Sequence, residues 1–182
     1  MKLSLMTAAA ALVLAAASPA PAQTPAPAPT AQAAAARADS AAVEGGEVRY
    51  FVHGDLDSGA TPVLVLHGAF MSSDAMKPLT DRLTGRPLIV VDQRGHGRTG
   101  DLPGPITYEA LADDAAAVLA DAGVGKADVV GYSMGAGAAL QLALRHPETV
   151  DHLVIASVSF NEAGNLPGFI QQMESVTPEM FA

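Results

Sequence analysis

Five stretches of the chain are dominated by apolar residues, and each is bounded by glycine, proline or charge. "EVRYFVHG" (residues 47–54) alternates apolar and polar positions, the pattern of a half-buried strand, and it runs into the turn signal "DLDSG". "TPVLVLHG" (61–68), "RPLIVVD" (86–92), "ADVVGYS" (127–133) and "DHLVIAS" (151–157) are nearly unbroken runs rich in Val, Leu and Ile, as strands buried on both faces require. Between them the period lengthens. "SSDAMKPLTDRL" (72–83) predicts a helix that Pro78 delays or kinks. "TYEALADDAAAVLADAG" (107–123) predicts a second, opened by Thr107 as N-cap and closed at Gly123, and "SMGAGAALQLALRH" (133–146) a third, stopped by Pro147.

Strands alternating with helices imply an α/β fold with a mostly parallel sheet flanked by helices. A ligand site in such a sheet lies beyond the carboxyl ends of the strands. Three loops should therefore meet there: "HGAFMSS", "DQRGHGRTG" and "GYSMG".

The front of the chain has a different character. Residues 1–22 combine Lys2, a short apolar run and the small-residue triplet Ala20, Pro21, Ala22, the features of a secretory signal peptide cut after Ala22. Residues 23–43 are rich in Ala and Pro and have few bulky apolar side chains, so they are expected to be a linker, with the folded part starting near Glu44. A secreted or periplasmic location follows from that leader.

Composition removes several function classes. There is no cysteine, which excludes thiol catalysis, disulfide scaffolds and a lipidated cysteine after the leader. Net charge is −9 and the ten Lys and Arg are scattered, so the basic footprint of a nucleic-acid binder is missing. The five histidines do not fall at metal-ligand spacing, and no metal is expected. Gly95 to Gly100 formally matches G-x-G-x-x-G, but Asp101, Pro103, Gly104 and Pro105 follow where a dinucleotide-binding helix would have to begin. "GVGKAD" lacks the Ser/Thr and the spacing of a P-loop. No cofactor is expected.

The chemistry is concentrated in "VVGYSMGAGAAL" (129–140). Ser133 stands where an apolar strand turns directly into a helix, which is the setting of a nucleophile elbow. Such a turn strains the serine backbone, and Gly131 and Gly135 remove side chains that would collide there. Acyl transfer also needs N–H donors for the developing oxyanion, and the backbones of Met134 and Ala69 are the candidates. His67 and Gly68 are expected to shape the loop that carries Ala69, His67 by hydrogen bonding rather than proton transfer.

With "LHGAF", "VVDQRGHGRTG" and "GYSMG" in this order, the chain resembles the N-terminal half of the α/β-hydrolase family over about residues 44–160. The resemblance implies a hydrolase of the esterase, lipase, haloperoxidase-like or carbon–carbon-cleaving kind. Serine at the nucleophile position argues against halide and epoxide substrates. The expected substrate is a small molecule with a carboxylic ester or similar acyl bond. The resemblance also implies that residues 161–182 begin a lid or cap, with Glu162 near the place where some lipase-like members carry their acid.

The family order is Ser, then Asp or Glu, then His. After Ser133 only His146 and His152 remain. His146 lies thirteen residues down the helix from Ser133, about 20 Å away, and His152 opens a strand at the far edge of the sheet. His96, in the loop after a strand, is the substitute base that stays open. The expectation is an incomplete copy of a serine hydrolase, inactive by itself. The alternative is an inactive relic or interaction module that self-associates through the exposed sheet edge left by "HLVIASV".

Overall fold

The computed structural model describes residues 37–159 together with Gly164, Gly168, Gln171 and Ser175. The expected leader, residues 23–36 of the expected linker, Glu162 and most of the expected lid segment lie outside the described residues. Six strands form one sheet: β1 (Arg37–Val43), β2 (Gly46–His53), β3 (Val63–Leu66), β4 (Leu88–Asp92), β5 (Ala127–Tyr132) and β6 (Val150–Ala156). Their order across the sheet is β1-β2-β4-β3-β5-β6. β1 and β2 are antiparallel to their neighbours, while β4, β3, β5 and β6 run parallel. The α/β architecture and all five predicted strands are observed.

The period of two survives inside the fully buried strands. In β3, Leu64 and Leu66 join a cluster with Ile89, Val91, Leu111, Val118, Leu119 and Leu142, whereas Val63 and Val65 join Leu88, Val90 and Met76. Each face of the sheet thus receives every second residue and carries its own apolar layer. The larger layer is roofed by α2 (Tyr108–Asp121) and α3 (Met134–Arg145). Thr107 caps α2 as expected, its side chain accepting the Ala110 N–H at 3.1 Å, and Gly123 follows with φ 72.

Two expectations are corrected. Residues 37–43, expected as the end of the linker, are β1, paired residue for residue with β2 from Arg37↔Val52 to Val43↔Gly46. Only Ala41 is fully buried, with Val43 packed beside it, so the strand is held by its backbone ladder and by a turn that needs Gly45 at φ 89. The helix expected over 72–83 is a 3-10 turn (Ser73–Met76) followed by a single turn, α1 (Lys77–Thr80). Pro78 sits in the first turn, where its missing N–H costs nothing. The chain then tightens through i to i−3 bonds, Arg82 N–H to Leu79 O and Leu83 N–H to Thr80 O, which close the helix.

Among the described residues β6 is at the edge of the sheet. Val154 and Ile155, adjacent and therefore on opposite faces, are 55% and 43% exposed. Among the described residues no helix is long and apolar enough to cross a membrane.

Candidate active site

β5 ends at Tyr132 and α3 starts at Met134, so Ser133 alone makes the turn between them. Its backbone sits at φ 53 and ψ −115, a region that L side chains rarely occupy. The surroundings hold it there. The Ser133 N–H donates to Ala156 O at 2.8 Å, and Ser133 O accepts from Ala136 N–H (2.9 Å) and Gly137 N–H (3.2 Å). A Cβ on Gly131 would come within 2.6 Å of Ala136 Cα, and one on Gly135 within 2.5 Å of His67 O. Real Cβ atoms do not approach backbone this closely, so both positions demand glycine if the helix is to dock on the sheet.

Because β4, β3 and β5 are neighbours and parallel, the loops that leave them lie side by side at one edge. The loop after β3 approaches the serine closely: a Cβ on Gly68 would lie 3.3 Å from Ser133 Cβ. Ala69 follows directly. Neither the Ala69 nor the Met134 N–H has an acceptor among the described residues, whereas the neighbouring Phe70 N–H donates to His96 Nε2 at 3.2 Å. Two donors without an acceptor among the described residues therefore stand in the turns that meet here, Met134 directly after Ser133 and Ala69 directly after Gly68, and the hydroxyl of the half-buried Ser133 has no hydrogen-bond partner among the described residues.

His67 is fully buried. Its Nδ1–H donates to Gly68 O (2.7 Å), and its Nε2 accepts the Gln93 N–H (3.1 Å). Both ring nitrogens are occupied, and burial holds the imidazole below its ordinary pKa, so it stays neutral. His96 Nδ1 bonds Arg94 O at 3.0 Å and its ring centroid lies 5.3 Å from that of His67.

The remaining histidines are far from the serine. His146 Nε2 pairs with Asp113 at 2.8 Å at the opposite end of α3. His152 Nδ1 pairs with Asp128 at 2.8 Å, five residues and roughly 16 Å before Ser133 along β5. His53 is aligned with Leu88 at the start of β4, on the wrong edge of the sheet. None of the five hydrogen-bonds Ser133.

The loop after β4 is organised by Asp92, whose importance the sequence reading missed. Its buried carboxylate accepts from Ser73 N–H (2.6 Å) and Arg98 N–H (2.9 Å), with the Arg98 guanidinium 3.3 Å away. Burial acts to raise this carboxyl, but the hydrogen bonds from Ser73 and Arg98 outweigh it and hold the group below the usual carboxylate range. Beside it, Arg94 makes a buried two-pronged pair with Asp114, both bonds 2.6 Å. The signal was available in part: an aspartate closing an apolar run, followed by glycines at 95 and 97.

Among the described residues one group has metal-ligand atoms close together, namely Asp128, Asp151 and His152. Asp151 and His152 are exposed and Asp128 half-buried; the two carboxylates pair with Arg86 (2.7 Å to Asp128) and Lys126 (3.4 Å to Asp151), and the group lies at the other end of β5 from Ser133.

The family model for the alpha/beta hydrolase fold matches residues 61–173. The chain is 37% identical over 131 residues to the sn-1-specific diacylglycerol lipase ABHD11 of Mus musculus, covering 66% of this chain and 42% of that protein. Among solved structures, a thermophilic esterase from Thermogutta terrifontis superimposes with a TM-score of 0.57 at 27% identity, over 70% of this chain and 47% of that one. Est816, described as an N-acyl homoserine lactone degrading enzyme, gives 0.62 at 26% identity, over 75% and 52%. The chain spans 38% and 42% of the lengths of the zebrafish and mouse lipases it matches.

Proposed function

The chain belongs to the alpha/beta hydrolase fold family, and from that premise we propose that it carries the nucleophile and oxyanion pocket of a serine hydrolase for carboxylic esters or similar acyl bonds. The observation that carries this reading is Ser133 in its strained turn, with the unpaired N–H groups of Ala69 and Met134 beside it. In the reaction Ser133 Oγ bonds to the acyl carbon and gives up its proton, while the carbonyl electron pair moves onto oxygen. The two N–H groups hold that oxyanion until it collapses and the bond to the leaving oxygen breaks; that oxygen takes up the proton Ser133 released and departs as the alcohol. Water then attacks the acyl-serine in the same way, freeing the acid and restoring the hydroxyl. The similarity to a diacylglycerol lipase and to a thermophilic esterase supports an ester substrate.

The proton of Ser133 needs a base. With all five histidines engaged elsewhere or distant, this chain by itself is slow. Loss of a triad base leaves roughly 10³ to 10⁴ over water from the oxyanion hole and binding. The test is a fluorophosphonate probe followed by peptide mass spectrometry. Slow labelling at Ser133 that disappears in Ser133→Ala is expected; an unlabelled Ser133, with the probe on another residue, refutes the assignment.

The leader composition extends the proposal to an exported protein whose mature N-terminus is Gln23, which N-terminal sequencing of native material decides. A second reading, an interaction module, is favoured by the apolar exposure of both faces of β6. It expects a dimer by size exclusion that Val154→Lys dissociates.

A further inference from the structure

We propose that His67 and His96 form a reciprocal clasp that positions the Ala69 N–H, and that His96 is a positioning residue rather than a base. This inference rests on the reading of Ser133 and Ala69 given above. The two histidines stand 29 positions apart, at the heads of neighbouring loops, and each reaches across to the other's loop. His67, on the loop after β3, accepts the N–H of Gln93 from the loop after β4 at 3.1 Å. His96, on the loop after β4, accepts the N–H of Phe70 from the loop after β3 at 3.2 Å. The rings lie 5.3 Å apart.

Each ring is oriented in the same way. Nδ1 faces a backbone carbonyl of its own loop, Gly68 O at 2.7 Å for His67 and Arg94 O at 3.0 Å for His96. A carbonyl only accepts, so Nδ1 carries the hydrogen and Nε2 presents its lone pair. The Nε2 lone pair of His96 is therefore engaged by Phe70 and is turned away from proton transfer with Ser133.

The clasp accounts for an otherwise costly backbone. Phe70 has φ 59, a left-handed conformation that a bulky side chain adopts only when its surroundings impose it. His67 secures the residue before Ala69 through Gly68 O, and His96 secures the residue after it through the Phe70 N–H. Ala69 is thus fixed on both sides while its own N–H has no acceptor among the described residues.

Two substitutions separate the roles. In His96→Gln the amide oxygen reaches the place of Nε2 and still accepts from Phe70; in His96→Asn the shorter amide reaches only Arg94 O. Hydrogen exchange of the Phe70 amide should be faster by about tenfold in His96→Asn, the effect of one lost hydrogen bond, and near wild type in His96→Gln. Ser133 labelling by the fluorophosphonate should fall by about tenfold in His96→Asn and recover in His96→Gln. Long-range ¹H–¹⁵N correlation on the wild-type protein should show Nδ1–H tautomers at both rings, a readout that needs no variant to fold. An Nε2–H tautomer at His96, or equal Phe70 exchange in all three proteins, overturns the clasp. Equal labelling in all three overturns its positioning role. If the tautomers and exchange rates are as expected but wild-type Ser133 takes no label, the clasp stands and the nucleophile reading falls.

Discussion

Replacing Ser133 by glycine deletes the nucleophile and, with it, the Cβ that forces the backbone into an unfavourable region at φ 53 and ψ −115. Ser133→Ala is the proper reference, because it removes the hydroxyl and keeps the Cβ. A residue held in such a region stores about 1 to 3 kcal/mol. Against this, glycine loses more conformational entropy on folding than alanine, which costs roughly 0.5 to 1 kcal/mol. The balance makes Ser133→Gly as stable as Ser133→Ala or more stable, by up to about 2.5 kcal/mol, with labelling abolished in both. Urea unfolding followed by far-UV circular dichroism measures the difference, the m-value serving to check that the unfolded state is unchanged. At a position without strain the order reverses. A Ser133→Gly protein less stable than Ser133→Ala by about 0.5 kcal/mol or more would refute the argument that the elbow stores strain.

Gly135→Ala should destabilise the fold by about 3 kcal/mol or more, since the new methyl meets the backbone of Leu66 and His67, which cannot rotate away. Gly125→Ala, with nothing within 4 Å of its Cβ, should change stability by less than about 1 kcal/mol; equal effects at the two positions would argue against close docking of α3 on β3. Asp92→Asn puts an amide where two N–H groups need an acceptor and should cost about 2 to 4 kcal/mol at pH 7, read by urea unfolding. The folded carboxyl is held below its ordinary 3.8. The unfolded state therefore binds more protons between the two values, and stability rises with pH there. The Asp92 contribution is complete above about 3.8 and is lost as pH falls through the folded value, so the gap between wild type and Asp92→Asn should narrow in acid; a constant gap would contradict this.

The parallel strands were legible because Val, Leu and Ile runs of the right length have few other uses, and the elbow because Gly-Tyr-Ser-Met-Gly falls between such a run and a helical pattern. β1 was not. Its side chains are mostly small or polar, and what stabilises it is a backbone ladder whose partner lies across a two-residue turn. The 72–83 segment has helical spacing, but its apolar residues, Met76, Leu79 and Leu83, contact the sheet through a short irregular turn. The distant positions of His146 and His152 could be inferred from helix rise and strand direction, and both are engaged with aspartates there. The role of His96 could not be inferred, because its ring is used by an N–H 26 residues away.

What the sequence determined by itself is what neighbours along the chain decide: the strand and helix periods, the cap at Thr107, and the crowding against Ala136 that requires glycine at 131. Those depend on local sterics and on contacts a few residues apart. Tertiary structure decided which loops stand beside the serine. The order β4-β3-β5 brings residues 67–70, 92–98 and 131–135 to one edge, and only there do His67 and His96 find each other's backbone. Hydrogen bonds are short and directional, so a pair formed across two loops exists only once the sheet has set their separation.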